Sequence, residues 1–328
     1  MAQRFLVTGG AGFVGSHLVA ALLERGDDVV VLDNLRTGHR KAVLPGARLI
    51  EADLDDAVAV DAVLADGPWQ AVFHFASLSL VGESMRRPLW YLSENTSNGF
   101  RLIDACVRHG VGRFVLSSTA NLFGEAAVPP IPADAPTDPQ SPYGDSKFML
   151  ERALHWAERV HGLRSARLRY FNAAGADPAG RLGEDHRPET HLIPLVIDAA
   201  LGRRPPLEVF GNDYGTPDGT CIRDYVHVCD LADAHLLALG ALDKQSVVWN
   251  LGNGQGHSVM QVIEAMRAVS GRDVPYRMAP RRPGDPPVLV ASSDRAQQAG
   301  WRPRFAALEA IVETALAWRI AHPDGYGG

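Results

Sequence analysis

A glycine-rich turn near the start of the chain constrains its fold more than any other sequence feature. Gly10, Gly12 and Gly15 form a G-x-G-x-x-G pattern directly after the apolar run 5–7, and a helical pattern follows. Asp33 lies 18 residues after Gly15, at the end of a second apolar run. A strand, a glycine turn, a helix and a carboxylate at this spacing predict a βαβ unit whose helix N-terminus can bind a pyrophosphate.

The same alternation continues through the first half of the chain. Short apolar runs predict six strands, at 5–7, 29–32, 48–51, 71–75, 114–116 and 166–170. Helical patterns lie between them, for example at 16–25 and 98–108. Alternating strands and helices form parallel sheets with right-handed crossovers. The sequence therefore predicts an α/β fold with a doubly wound parallel sheet of the Rossmann type.

The pattern changes after about residue 172. Residues 173–220 are rich in Gly, Pro, Asp and His, and residues 275–287 are rich in Pro and Arg. A helix at 230–242 and a strand at 247–251 are again regular. We expect residues 1–172 to form the nucleotide-binding domain, with 226–252 returning to it. Residues 173–328 should form mainly a smaller, mixed α/β substrate-binding region.

Charge and cysteine content narrow the possible partners. The formal net charge of −6 disfavours nucleic acid and anionic membranes. The three cysteines, Cys106, Cys221 and Cys229, form no disulfide framework, which is typical of a reducing cytoplasm. Neither H-E-x-x-H nor C-x-x-C occurs, so no metal site is predicted. His186 and His191 are expected to be surface or pocket-lining side chains.

The region around the glycine turn predicts the cofactor. Asp33 is placed to accept hydrogen bonds from the adenosine ribose hydroxyls, and its charge would repel a 2′-phosphate. This favours NAD over NADP, although the nearby Arg36 argues the other way. Asp53 follows the third predicted strand and either accepts a hydrogen bond from the adenine amino group or is an exposed strand-end carboxylate.

A tyrosine and a lysine four residues apart are the candidate catalytic pair. Tyr143 and Lys147 should share one face of a helix that begins at Pro142. A nearby ammonium and the positive nicotinamide should lower the pKa of the tyrosine and make it a usable general base. Thr119 ends the predicted strand that contains Ser117, so its hydroxyl should lie at the carboxyl edge of the sheet.

These motifs, in this order, resemble the extended short-chain dehydrogenases/reductases. Further segments resemble the UDP-glucose 4-epimerases within that group, and the resemblance covers almost the whole chain. The segments are V-G-E-S at 81–84, L-R-Y-F-N at 168–172, G-E-D at 183–185, F-G-N-D-Y at 210–214, D-G-T at 218–220, R-D-Y-V-H at 223–227 and A-P-R-R-P-G-D at 279–285.

The resemblance implies roles for individual residues. Tyr143, Lys147 and Thr119 would be catalytic, and Thr119 and Tyr143 would also contact the sugar. The implied cofactor-binding residues are Gly9, Gly12, Phe13, Val14, Gly15, Asp33, Asn34, Asp53, Leu54, Phe75, Ala76, Asn95, Ser117, Tyr143, Lys147 and Tyr170. The other implied substrate-binding residues are Asn172, His191, Leu192, Phe210, Arg223, Arg282, Asp285 and Leu289.

Several positions depart from the pattern of that family. Thr119 replaces a Ser of some members but keeps the hydroxyl, and Phe123 replaces a frequent Tyr. Ser79 stands where some members have a lysine near the cofactor phosphates, which would loosen NAD retention. His191 replaces an Asn. Leu289 aligns with a Tyr of hexose-specific members, which would open space for a 2-acetamido group.

The resemblance implies an NAD-dependent isomerase that inverts C4 of a UDP-hexose through a transient 4-keto sugar. A UDP-N-acetylhexosamine or UDP-pentose 4-epimerase is a close alternative. A nucleotide-sugar 4,6-dehydratase is less compatible, because Ala120 and Asn121 follow Thr119 where dehydratases carry two carboxylates. A non-catalytic NAD-binding protein would commonly lack Tyr143 or Lys147. Relatives are often homodimers, so a homodimer is expected by analogy.

Overall fold

Residues 2–124, 127–282 and 285–327 are described by the structure, a computed structural model of the chain. The strands are β1 Arg4–Thr8, β2 Asp28–Asp33, β3 Ala47–Glu51, β4 Ala71–His74, β5 Arg113–Thr119, β6 Arg164–Tyr170, β7 Asn172–Ala174, β8 Leu207–Phe210, β9 Ile222–His227, β10 Val247–Leu251, β11 Gly256–Ser258, β12 Tyr276–Ala279 and β13 Val288–Leu289. The α-helices are α1 Phe13–Glu24, α2 Ala57–Ala65, α3 Val81–Arg86, α4 Pro88–Leu92, α5 Asn98–Arg108, α6 Pro142–His161, α7 Leu192–Ala200, α8 Val228–Ala241, α9 Val259–Ser270, α10 Asp294–Gln298 and α11 Leu308–Ala321.

Seven parallel strands form the large sheet, in the order β10-β6-β5-β4-β1-β2-β3. All six strands predicted in the first half of the chain are present as β1 to β6. From β1 the chain moves outward to β2 and β3, then returns to β4 on the other side of β1. The carboxyl ends of β1 and β4 therefore flank a topological switch point, where open α/β sheets bind their ligands.

Apolar side chains cover both faces of this sheet. One face packs against α1 and α8 through a core that includes Leu18, Leu22 and Leu231. The other face packs against α2, α5 and α6 through a core that includes Leu64 and Leu102. The predicted doubly wound α/β fold is confirmed. In the part of the chain that the structure describes, no helix has the length and apolarity needed to cross a membrane.

Local sequence signals set the start and end of α6, the longest helix described. The Ser141 hydroxyl accepts a hydrogen bond from the Gly144 N–H at 3.1 Å, and Pro142 occupies the first turn. Both features are typical of a helix N-terminus. Gly162 ends the helix with φ +75°, a conformation that glycine adopts without strain. The helix start predicted at Pro142 is therefore confirmed.

A smaller region is built around strand β9. Strand β11 pairs with one edge of β9 in antiparallel fashion, β13 pairs with the other edge in parallel, and β7 pairs in parallel with residues 225–227 of β9. Strands β8 and β12 form a separate parallel pair. A second core, which includes Ile197, Ile263 and Val312, joins helices α7, α9 and α11. Neither α9 nor α11 was predicted from the sequence.

The chain passes between the two regions more than once. After β9 in the smaller region, α8 packs on the large sheet and β10 joins its edge beside β6. The chain then returns to the smaller region as β11. Residues 226–227 belong to β9, but the Val226 side chain already packs in the core of the large sheet, and α8 follows from Val228.

Candidate active site

The glycine turn brings the end of β1 against the end of β4. Gly9 has φ +74°, and a Cβ placed on it would lie 2.3 Å from the Ala76 amide nitrogen. A Cβ on Gly15 would lie 2.2 Å from the Gly9 carbonyl oxygen. At Gly12, the N-cap of α1, the nearest described atom to such a Cβ is the Gly9 carbonyl oxygen, at 3.4 Å. Gly9 and Gly15 thus permit close packing, and Gly12 leaves an open approach to the helix N-terminus.

Asp33 closes this turn at the end of β2. Its two carboxylate oxygens accept hydrogen bonds from the amides of Ala11 and Leu35, each at 2.9 Å. Burial raises the pKa of Asp33, and these two hydrogen bonds oppose that shift. Each oxygen retains a second lone pair that can accept a ribose hydroxyl.

Arg36 is held by carboxylates. Its guanidinium lies 2.7 Å from Glu94 and 3.3 Å from Asp53. Asn34 also donates to Asp53, at 2.7 Å. Because two carboxylates already neutralise the charge of Arg36, this side chain is a poor candidate for binding the 2′-phosphate of NADP. Glu94, which supplies the shorter of the two contacts, was not predicted from the sequence.

The remaining candidate cofactor residues lie along the same sheet edge. Phe13 and Val14 begin α1 and are partly exposed. Leu54 follows β3 and is buried, while Phe75 and Ala76 follow β4. Ser79, the position expected to loosen NAD retention, lies in the exposed segment before α3.

Tyr143 and Lys147 lie one turn apart on α6, facing the end of β5. Both side chains are buried, and the Lys147 ammonium lies 6.0 Å from the centre of the Tyr143 ring. Lys147 Nζ donates to the Ser117 carbonyl oxygen at 2.9 Å, which ties the helix to β5. Thr119 Oγ1 accepts from the backbone amide of Asn121 at 3.1 Å and from its side-chain amide at 3.0 Å. The hydroxyl hydrogen of Thr119 is therefore available for donation.

The protein's own groups do not lower the pKa of Tyr143. Burial raises the pKa of Tyr143 to about 12, and interaction with the Thr119 side chain reduces this shift only in part. Burial also lowers the pKa of Lys147 to about 7. Removing both groups from water disfavours the phenolate and the ammonium alike.

Asn95 is fully engaged with the protein. It lies in a π-helical turn, Ser93–Ser97, between α4 and α5. Its carbonyl oxygen accepts from the Leu78 amide at 2.8 Å, and its amide donates to the Leu78 carbonyl and the Ser146 hydroxyl, each at 3.0 Å. Asn95 therefore holds the segment after β4 against helix α6. The resemblance had implied a different role, a position near the cofactor and the sugar.

Tyr170 lies at the end of β6 and is hydrogen-bonded to His235 on α8. His235 Nδ1 lies 2.7 Å from the Leu231 carbonyl oxygen and must donate to it, so Nε2 accepts from the Tyr170 hydroxyl. The Phe75 ring lies against His235 at 5.0 Å between centroids. Burial raises the pKa of Tyr170 and lowers that of His235, so both remain neutral. His235 was not predicted to belong to the site.

Arg223 and Asp285 form an ion pair in the smaller region. Arg223 Nη2 lies 2.7 Å from Asp285 Oδ1, and Nη1 donates to the carbonyl oxygens of Ile222 and Pro286. Leu289 on β13 is in register with Arg223 on β9. Three candidate substrate residues are thus brought together from segments more than sixty residues apart.

Leu289 also connects the smaller region to the end of β5. It packs against a small apolar cluster that contains Ala120, Phe123 and Phe171. Ala120 directly follows Thr119, and Phe171 directly precedes Asn172. Asn172 opens β7 and is partly exposed. The cluster therefore joins Leu289 to the chain segments next to Thr119 and Asn172.

Phe210 and Arg282 form a second contact in the smaller region. The Arg282 guanidinium lies 4.0 Å from the centre of the Phe210 ring, within the range of a cation–π interaction. Phe210 ends β8, and Arg282 follows β12, its pairing partner. Pro283 and Gly284, which belong to the sequence motif at 279–285, lie outside the described residues.

His191 and Leu192 begin α7. His191 is the N-cap residue, and its Nδ1 lies 2.9 Å from Glu184 and 3.0 Å from Glu189. Burial opposes a charged imidazole, but these two carboxylates raise the pKa of His191 above its usual value. His191 is thus bound to neighbouring acidic side chains, and no sequence signal predicted this contact.

A buried ion pair lies one turn beyond Lys147 and was also missed. Glu151 accepts from Arg169 through both carboxylate oxygens, at 2.7 and 2.9 Å, and from the Ser118 hydroxyl at 2.6 Å. Glu151 and Arg169 are both largely buried. The four-residue spacing from Lys147 is the only sequence signal that could have suggested it. The pair fixes α6 to β5 and β6 beneath the catalytic residues.

Comparison with known proteins identifies the family. The NAD dependent epimerase/dehydratase family matches the chain over residues 5–252. The chain belongs to this family. The UDP-glucose 4-epimerase of Halalkalibacterium halodurans is 49% identical over 327 residues, which cover 99% of this chain and 98% of the relative.

Solved structures of UDP-glucose 4-epimerases have the same fold. That from Brucella ovis, in complex with NAD, is 42% identical with a TM-score of 0.93, over 96% of this chain and 98% of its own. That from Bifidobacterium longum, in complex with NAD+ and UDP, is 34% identical with a TM-score of 0.93, over 98% of this chain and 100% of its own. The resemblance inferred from the sequence motifs is confirmed.

Proposed function

We propose that this chain is an NAD-dependent isomerase that inverts C4 of a UDP-hexose and so interconverts UDP-glucose and UDP-galactose. The observation that carries the proposal is the position of Tyr143, Lys147 and Thr119. All three lie at the carboxyl edge of the sheet, next to the strand ends that form the glycine turn. Relatives that match the chain over nearly its whole length have this activity by name.

The glycine turn fits the pyrophosphate of NAD. The absence of a side chain at Gly12 leaves the first turn of α1 open, and Gly9 and Gly15 could not carry a Cβ without displacing backbone atoms. Asp33 is free to accept the ribose hydroxyls, and Arg36 is neutralised by Asp53 and Glu94. When bound, NAD supplies the reversible hydride acceptor that inversion at C4 requires.

The catalytic residues of this chain act on the 4-hydroxyl of the sugar. Tyr143 removes the hydroxyl proton as C4 is oxidised and returns a proton when C4 is reduced from the other face. Thr119 donates a hydrogen bond to the same oxygen, because its own oxygen already accepts twice from Asn121. Burial raises the pKa of Tyr143 in the protein alone, and bound NAD would add a positive charge that favours the phenolate.

Residues of the smaller region hold the nucleotide. Arg223 is oriented by two carbonyl oxygens and by Asp285, so part of its guanidinium fork can face a diphosphate without reorganisation. Asp285 accepts ribose hydroxyls, and Phe210, Arg282, Asn172 and Leu192 complete the pocket. We thus assign NAD binding mainly to residues 1–172 together with residues 226–252, and UDP-sugar binding mainly to the rest of residues 173–328.

A homodimer and a cytoplasmic location complete the proposal. Helix α6 exposes the apolar side chains Met149, Trp156 and Val160, spaced to share one face, and Phe100 is exposed on α5. A second copy of the chain would cover this face. The three cysteines of the chain are unpaired, as expected in a reducing compartment. Light scattering of the wild type and of Trp156→Glu tests the dimer, because the charged side chain should yield a monomer.

The activity is tested by incubating the purified chain with UDP-galactose and no added cofactor. We expect UDP-glucose to form, because the cofactor is regenerated in each turnover and is retained by the protein. Denaturing the protein should release NAD(H). Release of NADP alone, or no interconversion even with NAD added, would overturn the proposal.

A further inference from the structure

Four side chains between β7 and α7 converge on one point. They are Glu184, His186, Glu189 and His191, and one donor atom from each lies within 4.8 Å of all the others. We propose that these four residues bind a single divalent transition-metal ion. The site is separate from the residues to which we assign proton transfer.

The spacing of the donor atoms fits such an ion. His191 Nδ1 lies 2.9 Å from Glu184 Oε1 and 3.0 Å from Glu189 Oε1. His186 Nδ1 lies 3.3 Å from Glu184 Oε1 and 3.5 Å from Glu189 Oε2. Ligands of a tetrahedral Zn²⁺, at their usual bond lengths, are about 3.3 to 3.4 Å apart. The four separations bracket this value, and all four donor atoms lie within 4.8 Å of one another.

His186 supplies a second observation. Its Nδ1 is buried, yet it makes no well-aligned hydrogen bond to any residue that the structure describes. Glu184 Oε1 and Glu189 Oε2 lie 3.3 and 3.5 Å from it, close enough for an electrostatic interaction but without a well-aligned hydrogen bond. Buried polar atoms rarely remain unsatisfied, and a metal ion at the centre of the cluster would satisfy this one.

The ligand chemistry and the charge agree with a divalent transition metal. Two imidazoles and two carboxylates suit Zn²⁺, Co²⁺, Fe²⁺ or Mn²⁺. Two neutral histidines, two carboxylates and one divalent cation have no net charge, the same total as two protonated histidines with two carboxylates. Protons therefore compete with the metal ion for the two histidines, and the affinity for the metal ion should increase with pH.

The position of the cluster predicts a structural effect. The His186 ring meets the Phe13 ring edge-on, at 6.3 Å between centroids, and Phe13 is the first residue of α1, directly after Gly12. His191 caps α7, directly before Leu192. A bound ion would fix the segment that lies between the cofactor turn and the substrate region. The cluster also has a charged neighbour on another helix, because Arg319 on α11 interacts electrostatically with Glu189.

The test uses the full chain, stripped with a chelator and titrated with Co²⁺ at pH 8. Tetrahedral Co²⁺ absorbs visible light, so the spectrum reports the coordination directly. We expect one ion per chain, release of protons on binding, and a higher Tm with Zn²⁺ than with chelator. His186→Gln should abolish the absorption and the shift in Tm. His155→Gln, which alters an exposed histidine on α6, should preserve both.

Activity is not the readout, so this test is independent of the proposed isomerase function. If His186→Gln does not fold, Glu189→Gln replaces it, because the amide keeps the shape but is a weak ligand. Two results would overturn the proposal. One is the absence of stoichiometric Co²⁺ binding by the wild type. The other is equal binding by the wild type and by whichever of the two variants folds.

Discussion

The large sheet and the smaller region build their binding sites in different ways. The turn that includes Gly9 and Gly15 uses backbone atoms of consecutive residues, packed so closely that a Cβ would collide. The pair of Arg223 and Asp285 uses long side chains that meet across 62 positions of sequence. The first kind of site is damaged by adding atoms and the second by removing them. Changes in the large sheet should therefore affect chemistry and NAD retention, and changes in the smaller region should affect substrate binding.

The largest expected effect is at the catalytic residue of the large sheet. Tyr143→Phe keeps the buried ring and removes the phenol oxygen, the only base that we assign to the 4-hydroxyl. The loss of a general base costs on the order of 10² to 10⁴ in rate. We expect kcat to decrease by this factor with little change in KM or in bound NAD, measured by steady-state kinetics and nucleotide release. Near-normal turnover would rule out the mechanism.

The second prediction distinguishes two reasons why a position needs glycine. One is the close packing of neighbouring backbone atoms, and the other is the strain of a left-handed backbone. Gly9→Ala adds a Cβ that would lie 2.3 Å from the Ala76 amide nitrogen, at φ +74°. Gly26→Ala is the matched control, because Gly26 has φ +79° and no described atom within 4 Å of its Cβ position. The control should lose about 1 to 2 kcal/mol of stability from the left-handed backbone alone. Gly9→Ala should lose more and should also release NAD, as measured by chemical denaturation and nucleotide content. Equal behaviour of the two variants would contradict the packing argument.

The third effect tests the smaller region. Arg223→Lys keeps the charge but removes the fork that contacts Asp285, Ile222 and Pro286. A charge-assisted hydrogen bond contributes about 1.5 to 3 kcal/mol, so KM for the UDP-sugar should increase roughly tenfold or more, with kcat less affected. Arg277→Lys is the control, because the exposed pair of Arg277 with Glu208 should not affect either constant. A decrease in kcat without an increase in KM would contradict the assignment of substrate binding to the smaller region and of chemistry to the large sheet.

The smallest effect concerns the choice of sugar at the boundary between the regions. Leu289 is partly buried against the cluster with Phe123 and Phe171, and a leucine there is smaller than a tyrosine. We expect slow turnover of UDP-N-acetylglucosamine, and Leu289→Tyr should reduce its kcat/KM relative to UDP-glucose by about tenfold. A rigid, filled wall excludes a bulky group, whereas a leucine that changes rotamer does so poorly. An unchanged ratio would show that another residue sets the specificity.

The same contrast explains what the sequence could predict. Strands β1 to β6, the glycine turn and the start of α6 at Pro142 follow from local patterns, and the structure has all of them. The pairing of Arg223 with Asp285 depends on where two distant segments meet, which no local pattern encodes. The spacing predicted the charge of Lys147 near Tyr143 but not the extent of burial, which raises the pKa of Tyr143 in the protein alone.

The path of the chain has a consequence for protein engineering. Because β9, α8, β10 and β11 alternate between the two regions, no single cut separates a cofactor module from a substrate module. A fragment that ends after β7 would lack β10, the edge strand beside β6, and would expose the face that α8 covers. Transplanting the substrate half from a relative would need at least three crossover points, one near residue 172, one near Val228 and one near Leu251. Such chimeras should keep the 228–251 segment with the parent that supplies the large sheet.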